Sequence, residues 1–534
     1  TIIPSIAIES VGIETGATGI EYGQSTGGVI QTQLKTGSAL DPYGTLYAEY
    51  NTVGEVIGMA EYSGGSGAWD YYVAGQAVHG DYGDNYETHT RQLQDLTLYS
   101  GLTKIGFRPN ELGRIEVLFI GGEEDHHYLQ DTDDGDVRYK TKKDNLFIAT
   151  RYDHVTVNDT KWDIGATYND FHENRINLET NQSERDRPQE QYNLFTNLSK
   201  DLELSDAWNW YTVNGVQYSD ETFSDVTNDE KRFDFSDASI YTNNSFIWEE
   251  TVELNAGLRG SRIDNGYRDL NKVTYDLGVA VQVPVVGQLH VSNYTGYNLN
   301  KAYYLFWGGG EFIDRDPQDG LKPTETYTWE IGWEKEFLLL ENPGSARITY
   351  FHTKETNLFN FGDTGSGVPF YDEGVAEGIE AWFDWYPIET LNLFAGYAHI
   401  DNRRTGSSNP NASNLDLQFT PLPEHSASIG ASWMFLENWF FTASGIYNSG
   451  YQREFYDQDA REIETFNDFF QVDVAVSWNI NERFTVFGRI ENLLNEKDLG
   501  YSSVREESDG TITDIDSEQE DPGILFALGG EIHF

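Results

Sequence analysis

The chain has 534 residues, of which 14% are aromatic, and it contains no cysteine. Its 88 acidic and 35 basic residues give a formal net charge of -53, which excludes nucleic acid as a partner because a polyanion would be repelled. No stretch of about 18 uninterrupted apolar residues occurs, so membrane-spanning helices are excluded as well. If the chain crosses a membrane, it must therefore do so as a closed β-barrel.

The first 40 residues form a glycine-rich stretch that differs from the rest of the chain. Thr1 opens without the basic and apolar regions of a signal peptide, so we expect a mature, processed or incomplete N-terminus. Glycines that permit tight turns and close packing punctuate the stretch: Gly16, Gly23, Gly27 and Gly28. A phosphate-binding loop is the alternative interpretation, but no GK[ST] motif follows.

From about Gly44 onward, apolar and polar residues alternate in runs of roughly ten, which is typical of transmembrane strands. In the clearest run, Val472, Val474, Val476, Trp478 and Ile480 alternate with polar or small residues. One face of such a strand suits lipid and the other suits a wet lumen. A soluble β-sandwich also alternates, but it does not need so many long, aromatic-rich strands.

The connections between these runs are alternately short and long. Short connections are predicted at 108–112, 201–206, 249–251, 284–288, 341–345, 387–390, 436–438 and 481–483. Long, acidic loops are predicted at 121–143, 172–190, 220–236, 299–321, 356–374, 401–420, 450–467 and 496–522. Tight turns on one rim and long loops on the other are typical of outer-membrane barrels. The count predicts an all-β fold, an antiparallel 22-stranded transmembrane β-barrel over residues 41–534.

The last strand places Phe526, Leu528, Ile532 and Phe534 on one face and Ala527 and Glu531 on the other. A terminal aromatic residue at the end of such a strand resembles the assembly signal of bacterial outer-membrane proteins.

Four segments, in the same order, resemble the TonB-dependent transporter family. Glu14–Ile30 is similar to the final part of its plug domain, and Leu321–Trp333 to its "LKPE…E.G" strand entry, with Pro323 before the strand. Gly378–Trp382 is similar to its "G.E" strand, and Arg489–Asn495 to its "R.ENL.N" segment.

The resemblance implies that residues 1–40 are the C-terminal fragment of a plug domain inside the barrel. A complete family member would begin with a TonB box and the larger part of the plug, which this sequence does not contain. We expect a fragment or cleaved form, with a plug on a separate chain as the alternative.

The resemblance also implies a plug-barrel lock at Glu330 and Glu380, which alternation places on the lumen face. In the family, such glutamates pair with plug arginines. Residues 1–40 contain no arginine, and Thr15-Gly16 stands where related plugs read "RG". The lock must then use the missing plug portion, Lys35 or another arrangement. The alternative is that the glutamates line a hydrated lumen.

The stretch 121–136 concentrates oxygen ligands and two histidines. Asp131, Asp133, Asp134 and Asp136 have roughly the spacing with which a loop wraps Ca²⁺, although the final bidentate glutamate of an EF-hand is absent. The adjacent histidines are candidates for contact with the cargo, but on a strand they point to opposite faces and do not share one metal: His126 and His127. A solvated acidic loop is the alternative.

An aromatic cluster in the loop 299–321 is a second candidate site for cargo: Tyr303, Tyr304, Phe306 and Trp307. Exposed aromatic clusters indicate a contact surface, and family members grip ferric siderophores with such residues. The alternative is an aromatic girdle at the lipid interface.

No catalytic motif stands out, so we expect no enzyme. The resemblance implies energy-coupled import across the outer membrane of a Gram-negative bacterium. The expected cargo is a ferric siderophore, with Fe³⁺ present only as part of it. Cobalamin, another metal complex, a passive porin-like channel and an adhesive surface barrel are the alternatives.

The implied partners are the TonB-ExbB-ExbD complex, the lipid bilayer and lipopolysaccharide, and a monomer is expected. No cofactor is required, apart from the Ca²⁺ that an outer loop could hold.

Overall fold

The structure is a computed structural model. It describes residues 3–15, 20–23, 28–82, 87–88, 91–130, 137–227, 231–264, 269–299, 322–360, 370–407, 422–457, 460–496, 501–506, 512–517 and 523–534. Within these ranges, helical structure is limited to two short 3₁₀ turns, Ser5–Ala7 and Ile20–Tyr22. None of the described helices has the length and hydropathy needed to cross a bilayer.

The N-terminal segment, residues 1–42, precedes the barrel and forms its own small sheet. Strands β1 (Ile8–Thr15) and β2 (Gly28–Leu34) pair antiparallel and share no ladder with other strands. The backbone N–H of Lys35 donates to the carbonyl of Ala7 at 3.0 Å, which ties the two ends of this pair together. The barrel wall begins at Tyr43.

The remaining strands build the barrel and one additional sheet. The barrel strands are β3 (Tyr43–Asn51), β4 (Glu55–Ser66), β5 (Trp69–Asp81), β6 (Glu87–Thr88), β7 (Arg91–Asn110), β8 (Gly113–Gln130), β9 (Val137–Val155), β10 (Thr160–Asn177), β11 (Gln182–Ser205), β12 (Trp208–Asp225), β13 (Lys231–Trp248), β14 (Val252–Asp264), β15 (Asp269–Val283), β16 (Gly287–Asn298), β17 (Thr324–Leu339), β18 (Asn342–Asn360), β19 (Phe370–Ile388), β20 (Leu391–Ser407), β21 (His425–Leu436), β22 (Trp439–Asn448), β25 (Phe469–Asn481), β26 (Phe484–Glu491) and β29 (Leu525–His533). The separate four-stranded sheet comprises β23 (Tyr451–Asp457), β24 (Ala460–Phe466), β27 (Tyr501–Glu506) and β28 (Ile512–Ser517).

The barrel is closed, antiparallel and 22-stranded, as predicted, with the two-residue β6 as an extra pairing beside β7. Closure runs through the last strand, because β29 pairs with β26 on one side and with β3 on the other. The backbones of Gly44 and Phe534 exchange two hydrogen bonds, at 2.8 and 3.0 Å. The predicted final strand is thereby confirmed as the seam of the barrel.

Exposure in this barrel is the inverse of that in a soluble protein. Large apolar side chains such as Leu528 and Val273, each 70% exposed, point outward. Polar side chains such as Glu49, Glu61 and Asp70 are buried on the lumen face. An apolar outer surface and a polar interior suit a barrel surrounded by lipid. The predicted alternation of two faces is confirmed.

The two rims differ. At the turn rim, which carries Phe534, the strands are joined by tight turns, and those predicted at 249–251, 436–438 and 481–483 are confirmed. Residues with positive φ make these reversals, among them Glu249 and Glu250. The opposite rim, here called the loop rim, carries the predicted long connections.

Most of the predicted long loops are wrong in extent, because the strands continue into them. The loop predicted at 172–190 is only a turn, since β10 runs to Asn177 and β11 begins at Gln182. The connections predicted at 450–467 and 496–522 carry strands of the four-stranded sheet. About ten residues suffice to cross a bilayer, so strands of 18 and 24 residues such as β10 and β11 extend well beyond it.

Candidate functional site

The N-terminal segment contacts the lumen side of the wall at two separate places. The first contact is an ion pair in which Lys35 Nζ lies 2.8 Å from Glu61 Oε2 on β4. The Glu61 side chain is only 3% exposed, and the Tyr72 hydroxyl on β5 also donates to it, at 2.5 Å. A carboxylate this buried needs such partners, because an unpaired buried charge is costly.

Apolar packing surrounds this first contact. Ala7, which has no exposed surface, packs with Tyr72, Ala74, Leu102 and Ile120 of β5, β7 and β8. The end of the segment lies equally close to the wall, since a Cβ at Gly37 would meet the backbone of Tyr71 at 2.3 Å. Only glycine fits such an approach.

The second contact is made by Arg259 of β14, which is 2% exposed. Its Nη1 donates to the carbonyls of Ile20 and Glu21, at 3.3 and 3.1 Å. Its Nη2 donates to Gln217 Oε1 at 2.9 Å, and its guanidinium lies 5.3 Å from the ring centre of Tyr241. Carbonyl oxygens and an aromatic face can together solvate a buried guanidinium.

Gly23 fits the segment against this arginine. It has φ of +66°, a conformation that side chains other than glycine rarely adopt, and a Cβ there would lie 2.7 Å from Arg259 Nη2. Glycine is therefore required at this position for two reasons: other residues rarely adopt this backbone conformation, and a side chain would collide with Arg259.

The two contacts lie on different sides of the barrel. β4 is the second and β14 the eleventh of the 22 spanning strands, so the two strands are nearly half the circumference of the barrel apart. The segment thus bridges the lumen. One anchor places a lysine of the segment on a wall carboxylate, and the other places a wall arginine on carbonyls of the segment.

The predicted lock residues have other surroundings. Glu330 lies on β17, and its carboxylate accepts hydrogen bonds from Tyr294 at 3.0 Å and Ser292 at 3.4 Å, both on the neighbouring β16. Glu380 lies on β19, in register with Thr349. A lock through Glu330 and Glu380 stays a prediction, whereas Lys35, named above as one option, is seen in an ion pair.

The segment Arg489–Asn495 lies at the barrel seam. Arg489 Nη2 lies 2.8 Å from Glu49 Oε1, across the last strand from β26 to β3. Asn492 and Asn495 have φ of +53° and +56°, which asparagine tolerates better than most residues. The Asn492 side chain also bonds both backbone groups of Glu496. This motif therefore ends β26 and joins the two ends of the wall.

The two predicted histidines have different partners. His126 Nδ1 lies 3.2 Å from Glu124, and His127 Nδ1 lies 2.7 Å from Asp95. Both belong to β8 and not to a loop, so that expectation is wrong. Their role in cargo binding stays a prediction.

Two candidate sites lie outside the described residues. They are the possible calcium ligands Asp131, Asp133, Asp134 and Asp136 and the aromatic cluster Tyr303, Tyr304, Phe306 and Trp307.

A family model described as "TonB dependent receptor-like, beta-barrel" matches residues 68–493. The chain belongs to the TonB-dependent receptor family. Solved structures agree with this fold. The ferric enterobactin receptor PfeA of Pseudomonas aeruginosa matches with a TM-score of 0.78 at 12% identity, over 100% of this chain and 87% of that one. The siderophore receptor PiuA of Acinetobacter baumannii matches with a TM-score of 0.76 at 14% identity, over 99% and 86%.

The copper transporter OprC also matches, with a TM-score of 0.75 at 11% identity, over 100% of this chain and 86% of that one. No curated protein sequence matches the receptor. The matching family consists of receptors rather than enzymes, so the receptor is not an enzyme.

Sequence reasoning did not identify Arg259 as an anchor. Apolar and polar residues alternate along Val252–Arg259 and put Arg259 on the polar face, but that face contains many polar residues. The available signal was its charge, because a basic side chain on a lumen face needs oxygen partners.

Proposed function

We propose that the receptor imports a scarce nutrient across the outer membrane of a Gram-negative bacterium, with energy from the TonB-ExbB-ExbD complex. In this proposal residues 1–40 are the C-terminal part of the plug, and the barrel works as a monomer among lipid and lipopolysaccharide. The observation that carries the proposal is the bridge across the lumen, anchored by Lys35 on Glu61 and by Arg259 on the Ile20 carbonyl.

The chemistry of these anchors suits a plug that must move. One is a single ion pair and the other a set of hydrogen bonds to backbone oxygens, so either can break and re-form without chemical change. A pull on the segment would shift the population toward a state in which both anchors are open. The apolar packing of Ala7 beside the first anchor would also have to open, which adds to the pull that this shift requires.

We propose a ferric siderophore as the cargo. PfeA and PiuA share the fold and are named as a ferric enterobactin receptor and a siderophore receptor, and this supports the choice by analogy. OprC, named as a copper transporter, favours another metal complex as the alternative. Cobalamin and a passive channel are the remaining alternatives. The candidate cargo contacts are His126 and His127 of β8 and the aromatic cluster, with Ca²⁺ at Asp131, Asp133, Asp134 and Asp136.

Uptake by living cells tests the proposal. The complete gene is expressed in a bacterium that lacks its own siderophore and cobalamin receptors, and uptake of radioactive ferric catecholates, ferric hydroxamates and cobalamin is measured. We expect uptake of a ferric siderophore that stops when a protonophore collapses the proton gradient. Uptake of cobalamin alone would contradict the cargo, and uptake unaffected by the protonophore would contradict energy coupling.

Conductance separates the importer from the passive channel. The protein made from the complete gene is inserted into planar bilayers. A gated importer stays closed, whereas a porin-like channel shows large steady pores, and such pores would contradict the proposal.

A further inference from the structure

Two histidines and a glutamate meet on the outward face of the wall, away from the N-terminal segment. Within the described part of the chain, His399, Glu424 and His425 are the group of three whose ligand atoms all lie within 4.8 Å of one another. His399 Nδ1 lies 3.9 Å and His425 Nε2 lies 3.8 Å from the same oxygen, Glu424 Oε1. We propose that these residues bind one divalent transition-metal ion of the Zn²⁺ class.

The register of the sheet puts the three residues together. His399 of β20 is directly opposite His425, the first residue of β21, and Glu424 immediately precedes it. The imidazole rings stack, with centres 4.8 Å apart and planes 19° apart. Neutral imidazole nitrogen is a common metal ligand, and the register places two imidazoles beside one carboxylate.

The backbone around the site is fixed. The N–H of Ile400 donates to the Glu424 carbonyl at 2.9 Å. The N–H of His425 donates to Ser449 Oγ at 2.9 Å, and the N–H of Ser449 returns a bond to the His425 carbonyl at 2.8 Å. Ligands built on paired strands are held more precisely than ligands on a loop.

Tyr397 contacts the second nitrogen of the His425 ring. Its hydroxyl lies 3.0 Å from His425 Nδ1 and can accept a hydrogen bond from it, and in that tautomer the Nε2 lone pair is free for a metal. Metal-bound histidines usually hold their second nitrogen in such a hydrogen bond, which fixes the ring.

The distances require only a small adjustment. Zinc bonds to nitrogen and oxygen measure about 2.0–2.2 Å, so ligand atoms around a tetrahedral ion lie about 3.3 Å apart. The Glu424 side chain is 54% exposed and can rotate to close the present gaps of 3.8 and 3.9 Å, and the two imidazoles must turn as well to bring their nitrogens, now within 4.8 Å of each other, to this spacing. Two imidazoles and one carboxylate favour Zn²⁺, Co²⁺ or Cu²⁺ over Ca²⁺ and leave a fourth position for water.

The site lies on the outward surface near the loop rim. His399 is in register with Ile379, which is 44% exposed, and cross-strand partners share a face. Beyond this pair β20 continues to Ser407 while β21 has ended, so a bound ion would pin the two strands where they separate. The inference is independent of the proposed cargo, because the site faces away from the lumen.

The test is metal binding by the purified full chain in detergent after removal of metal with EDTA. Zn²⁺ is titrated by calorimetry, and Co²⁺ is titrated by visible absorption. The 88 acidic residues make nonspecific carboxylate binding a concern. Co²⁺ distinguishes the two kinds of binding, because Co²⁺ in a tetrahedral site with nitrogen ligands absorbs visible light far more strongly than Co²⁺ bound by carboxylate and water alone. We expect one strong Zn²⁺ site per chain and intense Co²⁺ bands.

His399→Ala, His425→Ala and Glu424→Gln are each expected to weaken Zn²⁺ binding by more than about tenfold and to remove the intense Co²⁺ bands. His352→Ala is the matched control, since His352 also lies on this strand face beside a carboxylate, at 3.1 Å from Glu377. Unchanged binding in His399→Ala and His425→Ala, or an equal loss in His352→Ala, would overturn the proposal. Each variant is first shown to fold by its heat-dependent shift in gel mobility.

Discussion

Arg489 and Glu49 join the two ends of the barrel wall, with Arg489 Nη2 2.8 Å from Glu49 Oε1 across the last strand. The Glu49 side chain is 1% exposed, and Tyr47 also donates to it, at 2.5 Å. The closing strand β29 therefore lies beneath a polar bridge that links β26 to β3. In this chain the bridge gives the "R.ENL.N" motif a structural role in closure.

Removing the arginine should destabilise the barrel. Arg489→Ala leaves Glu49 buried without its cation. Because Arg489 is 35% exposed, we expect the free energy of unfolding to fall by about 2 kcal/mol, which is less than the cost of breaking a fully buried ion pair. The temperature at which folded barrel converts to the slow-migrating gel form should fall. Arg483→Ala, at the exposed turn before β26, is the control and should leave this temperature unchanged. An equal fall in both variants would show that the seam contact has no special role.

Opening the first anchor should expose Lys35 to trypsin. Lys35 is the one lysine or arginine in residues 1–42, and its ion pair with Glu61 protects it. In Glu61→Gln the charge attraction to Lys35 is lost. If this lowers the free energy of opening the anchor by about 1.4 kcal/mol, cleavage becomes tenfold faster when opening is at equilibrium. Mass spectrometry after timed digestion measures cleavage after Lys35. Glu55→Gln, on the same strand, should digest like the unaltered receptor, and cleavage that is equally slow in Glu61→Gln would refute the anchor.

A methyl group at Gly23 should loosen the second anchor. Gly23→Ala forces an alanine into a left-handed conformation and against Arg259, which should release the Ile20 and Glu21 carbonyls. Hydrogen-deuterium exchange of the peptide that covers 20–23 should become faster. Gly12→Ala is the matched control in the same segment, because its nearest neighbour, Gln31, is 4.0 Å away. If both variants exchange alike, the close fit at Gly23 is not what holds the segment.

The strand number and the tight turns could be predicted because lipid on one face imposes alternation. The lengths of the strands could not be predicted. Beyond the bilayer both faces of a strand contact water, so apolar and polar residues no longer alternate there. In β10 the residues His172, Glu173, Asn174 and Arg175 therefore resemble a loop while forming a strand. The pairing of Lys35 was one of several predicted options. His399 and His425 were not connected in advance, because only the register of β20 with β21 brings them together.

The N-terminal segment bridges the lumen, and in the proposed function it must move during import. A disulfide between Ile20→Cys and Gly257→Cys tests it, because a Cβ at Gly257 would lie 3.2 Å from the Ile20 Cβ, close to the spacing of about 3.5–4.5 Å in disulfides. These 534 residues contain no other cysteine, so within them this bond is the one that forms. The matched control carries Ile20→Cys alone.

Uptake of the ferric siderophore found in the screen above is measured in cells that carry the double variant, before and after a reducing agent. We expect that the disulfide forms, that uptake is abolished while siderophore binding at the surface persists, and that reduction restores uptake. Normal uptake through the fully cross-linked receptor would contradict this expectation.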